Sequence, residues 1–264
     1  MRIAIGIEYN GDAFEGWQTQ RHGRTVQDTL EIAFRKIAHE PVQLVCAGRT
    51  DTGVHATTQV AHFDTTVRRP LEAWVRGVNS HLRANIVVLW AVEVDDDFHA
   101  RFSAESRRYR YVLLNRRVRP ALLDGRVGWA HGALDVEAMR EAGRCLVGEH
   151  DFSSFRAAEC QAKSPVRLMH SVEVTRQGDM VVFDFHANAF LHHMIRNLVG
   201  SLVYVGLGRK PVGWMAELLA VRDRRVAAPT FSPDGLYLCG VEYPQRWPLP
   251  GGGRIIAAPQ LLLP

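Results

Sequence analysis

The chain has 264 residues, enough for one large domain or for two of ordinary size with a buried core. Hydrophobic residues make up 47% of it and charged residues 23%, which excludes an intrinsically disordered chain. Lysine plus arginine total 32 against 28 acidic residues, and the resulting charge of +4 and pI near 9.0 permit a polyanionic partner.

The cysteines and the apolar stretches indicate the cellular compartment of the protein. The four cysteines show neither a C-x-x-C pair nor a metal-ligand spacing, so we expect free thiols in a reducing compartment. Glu8 interrupts the first apolar run before an export signal could form, and no apolar stretch is long enough to span a bilayer. These features predict a cytoplasmic protein without a membrane segment.

The first half of the chain predicts alternating strands and helices. Alternating apolar residues from Ile3 to Tyr9 indicate a strand, and Thr25 with Asp28 resembles a capping box that begins a helix ending near His39. The elements predicted after this helix are strands Val42–Cys46 and Val60–Asp64, helix Pro70–Asn79 and strand Ile86–Val94. The order is β-α-β-β-α-β.

The second half repeats this order without repeating the residues. Its predicted elements are strand Arg108–Leu114, helix Asp135–Leu146, strands Leu168–Thr175 and Met180–Phe185, helix Leu191–Val205 and strand Leu236–Val241. An additional short helix is predicted at Pro211–Ala220, and Arg176–Asp179 has the composition of a hairpin turn.

The repeated order predicts an α+β protein made of two ferredoxin-like (RRM-like) halves with mainly antiparallel sheets. We place an N-terminal domain at 1–104, a C-terminal domain at 105–243 and a proline- and glycine-rich tail with little regular structure at 244–264.

The loop Ala47–His55 carries an aspartate, Asp51, between two glycines and two residues after Arg49. Glycines let a ligand approach the backbone, and a carboxylate beside arginine stays ionised, as a nucleophile or electrostatic stabiliser must. The same pattern also suits an aspartate that only caps its own turn. Spacing alone leaves both interpretations open.

The full string Gly48–Ala56 resembles the signature of TruA-type tRNA pseudouridine synthases. Further family-like segments lie along nearly the whole chain: Tyr9–Gly11, Gly16–Gln18, Phe98–Ser103, Arg108–Tyr111, Asp151–Arg156, Asn188–Asn197 and Gly235–Leu238. The resemblance implies the pseudouridine synthase fold, with an RNA-binding cleft between the halves. It does not extend to the tail.

The resemblance implies three catalytic residues. Asp51 is the catalytic residue and is assigned as the nucleophile, Tyr109 stacks on the target base and helps to remove its C5 proton, and Arg196 pairs with the catalytic carboxylate. The sequence leaves open whether Asp51 adds to the ribose, stabilises the electron-poor sugar or acts in a route through a glycal. From the residues alone, Tyr109 also suits ordinary strand amphipathicity and Arg196 a charge on a helix surface. Strand alternation puts Tyr109 and Tyr111 on one face and the flanking arginines on the other, so the charge that activates Tyr109 must come from elsewhere.

Further residues are predicted to bind the substrate. Arg49 would fill the space that the extruded nucleotide leaves, or form a simple ion pair. Arg21 and Arg24 are candidates for phosphate contacts, although such loops are often merely solvated. His55 and Leu236 complete the predicted contacts.

The resemblance also implies the substrate and the assembly. It implies action on uridines 38, 39 and 40 of the tRNA anticodon stem-loop by a homodimer. We expect no metal and no cofactor, since His192 and His193 are predicted to point in different directions. Two rivals remain: a non-catalytic RNA-binding protein on tandem ferredoxin-like domains, and a nucleoside hydrolase, which would need a second acid or a metal.

Overall fold

The computed structural model describes residues 1–247 and 249–250 and divides into two compact units. Unit 1 contains Met1–Glu105 and the described residues from Tyr237 onward, and unit 2 contains Ser106–Leu236. Both combine helices with a mainly antiparallel sheet, which confirms the predicted α+β class. The predicted domain limits stay a prediction. No described helix has the length and apolar character needed to cross a bilayer.

The regular elements follow the predicted order, with additions. In chain order they are β1 (Arg2–Tyr9), α1 (Val26–Ala38), β2 (Val45–Cys46), β3 (His55–Asp64), a π-helical turn (Ala73–Gly77), β4 (Ile86–Val94), β5 (Ser106–Asn115), β6 (Gly128–Ala130), α2 (Val136–Gly143), β7 (Gly148–Asp151), β8 (Val166–Gln177), β9 (Met180–Ala187), α3 (Met194–Gly206), α4 (Trp214–Val221) and β10 (Leu236–Glu242).

Unit 1 is built on the strand order β4-β1-β3-β10, and β2 also pairs with β3. β1 runs antiparallel to both β3 and β4. β10 runs parallel to β3, with Tyr237 opposite His55 and Leu238 opposite Ala56. The last described strand therefore completes the sheet that begins with the first.

Helix α1 begins where the capping residues predict. The Thr25 side chain accepts a hydrogen bond from the Asp28 backbone N–H at 3.2 Å, which satisfies one of the donors exposed at a helix N-terminus. The helix ends before His39, which adopts a left-handed conformation with φ 57°. Phe34 of α1 packs against Phe63 of β3 with ring centroids 4.9 Å apart, so the helix covers the sheet through its apolar face.

Unit 2 has the strand order β5-β9-β8-β7, with β6 pairing in parallel with β5. The β8–β9 hairpin turns at the predicted place, where Gly178 has a φ of 57°. β6 and β7 were not predicted, because three and four residues are too few to show an alternating pattern. The predicted helix over Asp135–Leu146 is divided, and α2 passes into a 3-10 turn at Arg144–Leu146.

Several predicted boundaries are wrong for identifiable reasons. β3 begins at His55 rather than Val60, because its first residues are buried although several are polar. α3 begins at Met194 rather than Leu191, because His193 has a left-handed φ of 61°. Within the predicted helix Pro70–Asn79 the backbone widens into a π-helical turn. The tail beyond residue 250 lies outside the described residues, but Trp247 is buried against Phe98.

His62 of β3 should make the stability of unit 1 depend on pH. Its side chain is buried, and Nδ1 accepts the Ala100 N–H at 3.1 Å. Burial, with the charges of Arg2 and His99, lowers the pKa of His62 to about 4. The unfolded chain therefore takes up this proton first as the pH falls, so the stabilisation is complete above about pH 6.5 and lost by about pH 4.

The expected loss in the free energy of unfolding is at most about 3 kcal/mol. Urea denaturation at several pH values measures it. The His62→Gln variant should show a flatter dependence between pH 6.5 and 4, whereas His81→Gln, at an exposed position, should behave like the parent. Equal slopes in the parent and His62→Gln would contradict the prediction.

Candidate active site

Asp51 lies in the loop that joins β2 to β3, and its side chain is half-buried. The loop closes in a turn in which the backbone carbonyl of Asp51 accepts the Val54 N–H at 3.1 Å. Gly53 occupies the left-handed region, with a φ of 79°, which glycine adopts without strain. The main chain itself thus makes the turn that carries the carboxylate.

A second segment of unit 1 holds the residue before Asp51. The Trp17 N–H donates to the Thr50 carbonyl at 2.9 Å, and the Tyr9 hydroxyl and Thr50 Oγ1 are hydrogen-bonded at 2.7 Å. Gly16 has a φ of 81°, and a Cβ at this position would lie 2.9 Å from the Thr50 carbonyl oxygen. Backbone contact this close requires glycine at position 16. It fixes the position of the Asp51 loop relative to the segment that contains Trp17.

The far end of the loop is fixed by His55. Its Nδ1 accepts the Gly11 N–H at 2.9 Å, and its ring stacks on Tyr237 with centroids 4.6 Å apart. The residue is only 2% exposed, which favours a positioning role over the predicted contact with substrate. Near the start of the loop, Gln59 Nε2 donates to the Gly48 carbonyl at 2.6 Å. Both ends are therefore anchored to the core of unit 1.

Tyr109 lies on β5 of unit 2 with 9% of its surface exposed. Its ring meets Phe190 edge to face at a centroid distance of 5.1 Å, which fixes the plane of the phenol. Tyr111 is fully buried, and its hydroxyl donates to the Ser232 carbonyl at 2.9 Å. Arg110 forms a two-pronged ion pair with Asp184 of β9, at 2.8 and 3.0 Å. Asp184 therefore offsets part of the charge of Arg110.

Arg196 lies in the first turn of α3 and is half-buried. Its Nε donates to the Phe231 carbonyl at 2.9 Å, and the Phe231 N–H donates to the Arg196 carbonyl at 3.2 Å. The Nε bond holds the guanidinium against the Phe231 segment, and the backbone bond ties that segment to α3, unlike a mobile charge on a helix surface.

The two histidines before α3 lie side by side. The ring centroids of His192 and His193 are 4.0 Å apart, so the prediction that these rings point in different directions is wrong. The reason is that both residues form a turn before the helix begins.

The predicted phosphate contacts lie on an exposed loop before α1. Arg21 and Arg24 are exposed, and Arg24 forms an ion pair with Glu15, which also contacts His22 at 2.9 Å. Glu15 therefore offsets part of the positive charge here. Arg49 is exposed beside Asp51 in unit 1, whereas Leu236 is buried where β10 begins. The roles of these residues stay predictions.

Sequence reasoning missed the residues that position the loop. Tyr9, Gly16 and Trp17 support Thr50, although the segments that contain them had been singled out only as family-like. The only available signal was that Tyr9, Gly16 and Trp17 lie in family-like segments. Which residues they contact depends on the fold.

Known proteins are similar to this chain over nearly its whole length. A family model described as tRNA pseudouridine synthase matches residues 5–103 and 142–244. The chain is 68% identical over 261 residues to tRNA pseudouridine synthase A of Aromatoleum aromaticum, covering 99% of each. It is 62% identical to the protein of that name from Dechloromonas aromatica, covering 95% of each, and 56% identical to that of a Janthinobacterium species, covering 94% of each. The chain therefore belongs to the tRNA pseudouridine synthase family.

Proposed function

We propose that this enzyme isomerises uridine to pseudouridine at positions 38, 39 and 40 of the tRNA anticodon stem-loop, with Asp51 as the catalytic nucleophile. The observation that carries the proposal is the fixed, half-buried Asp51 loop in a chain that shares 68% identity with a protein named tRNA pseudouridine synthase A. A carboxylate held by main-chain contacts at both ends of its loop suits a reaction that needs accurate placement.

The chemistry explains why one carboxylate is sufficient. The Asp51 carboxylate adds to C1′ of the ribose as the bond from C1′ to N1 breaks, and the uracil leaves with the bonding electrons. The base then turns so that C5 forms a bond to C1′, Asp51 departs, C5 loses its proton and N1 gains one. No water is consumed, so the second carboxylate of a glycoside hydrolase is not needed.

Two residues of unit 2 are proposed to assist. Tyr109 stacks on the target base and takes part in removing the C5 proton, for which its orientation against Phe190 is suited. Arg196 keeps the Asp51 carboxylate ionised and aimed, and its bond to Phe231 supports an oriented guanidinium. Arg49 replaces the extruded nucleotide in the stack, and Arg21 and Arg24 contact phosphates. We further propose that the enzyme is a cytoplasmic homodimer.

Mapping of pseudouridine in tRNA tests the proposal directly. An unmodified tRNA transcript with uridines at 38, 39 and 40 should acquire pseudouridine at these positions after incubation with the purified protein. A transcript with cytidines there is the matched control and should remain unmodified. Pseudouridine at other positions would contradict the site assignment. Binding without isomerisation would favour the rival interpretation as an RNA-binding protein.

A further inference from the structure

Three arginines of unit 2 lie close together around the loop between β7 and β8. Arg156 and Arg167 lie near the two ends of the loop, and Arg107 comes from β5. Burial lowers the pKa of Arg167, and the charges of Arg156 and Arg107 lower it further, whereas the neighbouring Cys160 thiol acts in the opposite direction. The three side chains therefore repel one another electrostatically in partly buried positions.

At two of the three arginines, no carboxylate among the described residues offsets this charge. Arg156 donates to the carbonyls of Cys160 and Ala162 at 2.6 and 2.9 Å. Arg167 donates to the carbonyls of Ser164 and Val166 at 2.9 and 2.5 Å. Within residues 1–247 and 249–250 neither arginine forms an ion pair, and the buried Nε of Arg167 has no hydrogen-bond partner.

Two other partly buried arginines of this chain are neutralised. Arg2 pairs with Asp64 at 2.8 Å, and Arg110 pairs with Asp184. A buried charge or donor without a partner costs free energy, so an arginine cluster that lacks carboxylates is expected to have an anionic ligand. The planar guanidinium matches the oxygens of a phosphate better than any other side chain does.

The loop is fixed in place before any ligand arrives. The His192 backbone N–H donates to Cys160 Sγ at 3.5 Å, and the Ala157 N–H donates to the His192 carbonyl at 3.0 Å. These bonds tie the loop that carries Arg156 to the turn before α3. The arginines are thus held on a framework, unlike those of the exposed loop before α1.

We propose that Arg156 and Arg167 form a binding site for a backbone phosphate of the tRNA. This inference rests on the proposed function, which supplies the polyanion. The contact adds affinity that depends on salt and not on base sequence, because phosphate contacts release counterions from the nucleic acid.

The salt dependence of tRNA binding tests the site. Binding is measured by fluorescence anisotropy between 50 and 300 mM KCl, about the range in which counterion release dominates, in the Asp51→Asn protein to prevent turnover. Adding Arg167→Gln should make the slope of log K against log[KCl] shallower by about 1, and Arg167→Lys should restore most of it. Arg35→Gln, which removes an exposed charge on α1, should leave the slope unchanged.

The outcomes separate the two proposals. An Asp51→Asn protein that does not bind tRNA would contradict the proposed function. Normal binding with the same slope in Arg167→Gln and in its parent would overturn the phosphate site and leave the function standing. A change in Arg167→Gln accompanied by an equal loss in Arg35→Gln would also overturn it, because the effect would then reflect net charge alone. The thermal midpoint of each variant verifies that it is folded.

Discussion

Replacing Asp51 with asparagine should lower the rate of pseudouridine formation by more than roughly 10³-fold, because the amide keeps the size of the side chain but is not an ionised nucleophile. Release of tritium from tRNA labelled at C5 of uridine measures this rate. Affinity for tRNA should stay within about threefold of the parent, since most affinity for nucleic acid comes from backbone contacts.

Asp12→Asn is the matched control for this variant. It removes a carboxylate of the same unit whose Oδ1 lies 4.0 Å from Nε2 of His55, and it should retain most of the activity. Persistent tritium release in Asp51→Asn would refute the nucleophile assignment. Equal losses in the two variants would mean that negative charge near the loop matters, rather than the position of one carboxylate.

Gly16→Ala should slow the reaction about 10²-fold although it leaves every proposed catalytic residue in place, because a misplacement of about 1 Å has that effect on a positioned group. The new methyl group would lie 2.9 Å from the Thr50 carbonyl oxygen and 3.3 Å from the Asp51 carbonyl carbon. The loop must therefore move. The left-handed φ of 81° adds a stability cost of roughly 1–2 kcal/mol for any other residue.

Gly178→Ala is the control that distinguishes the steric clash of the new methyl group from the cost of the left-handed backbone conformation. Gly178 also has a left-handed φ, of 57°, but no atom of the described residues lies within 4 Å of its added Cβ. Both variants should lose stability in urea denaturation, and only Gly16→Ala should lose kcat. If kcat fell in both variants, or if it fell in neither, the contact between Gly16 and Thr50 would not be what positions Asp51.

The elements that could be predicted are those whose signals are local. Thr25 and Asp28 mark the start of α1, and the bounds of β4 follow from its apolar residues alone. The early start of β3 could not be predicted, because polar residues such as Gln59 are buried there through contacts with distant segments. The left-handed conformation of His193 has only a weak signal, because histidine adopts it more often than most residues but not often enough to mark one position.

In the candidate site, too, the residues with a local sequence signal could be predicted and those that depend on distant contacts could not. Asp51 was identified because its loop resembles the family signature, and the string is contiguous in the sequence. The support of Thr50 by Tyr9 and Trp17 could not be read from the sequence, since these residues are brought together only by the sheet and the segment after β1. The burial of His55 against Tyr237 likewise depends on β10, the last described strand.

That strand has a consequence for biosynthesis. β3 needs β10 as a neighbour at His55 and Ala56, directly after the Asp51 loop, yet residues 57–236 are translated in between. At 5–20 residues per second the ribosome takes roughly ten to forty seconds to supply the missing strand. During that time the nascent chain exposes an unpaired edge, which is a template for aggregation. The sheet of unit 1 can therefore be completed only after unit 2 has been translated, and premature termination before Tyr237 yields a chain with an incomplete sheet.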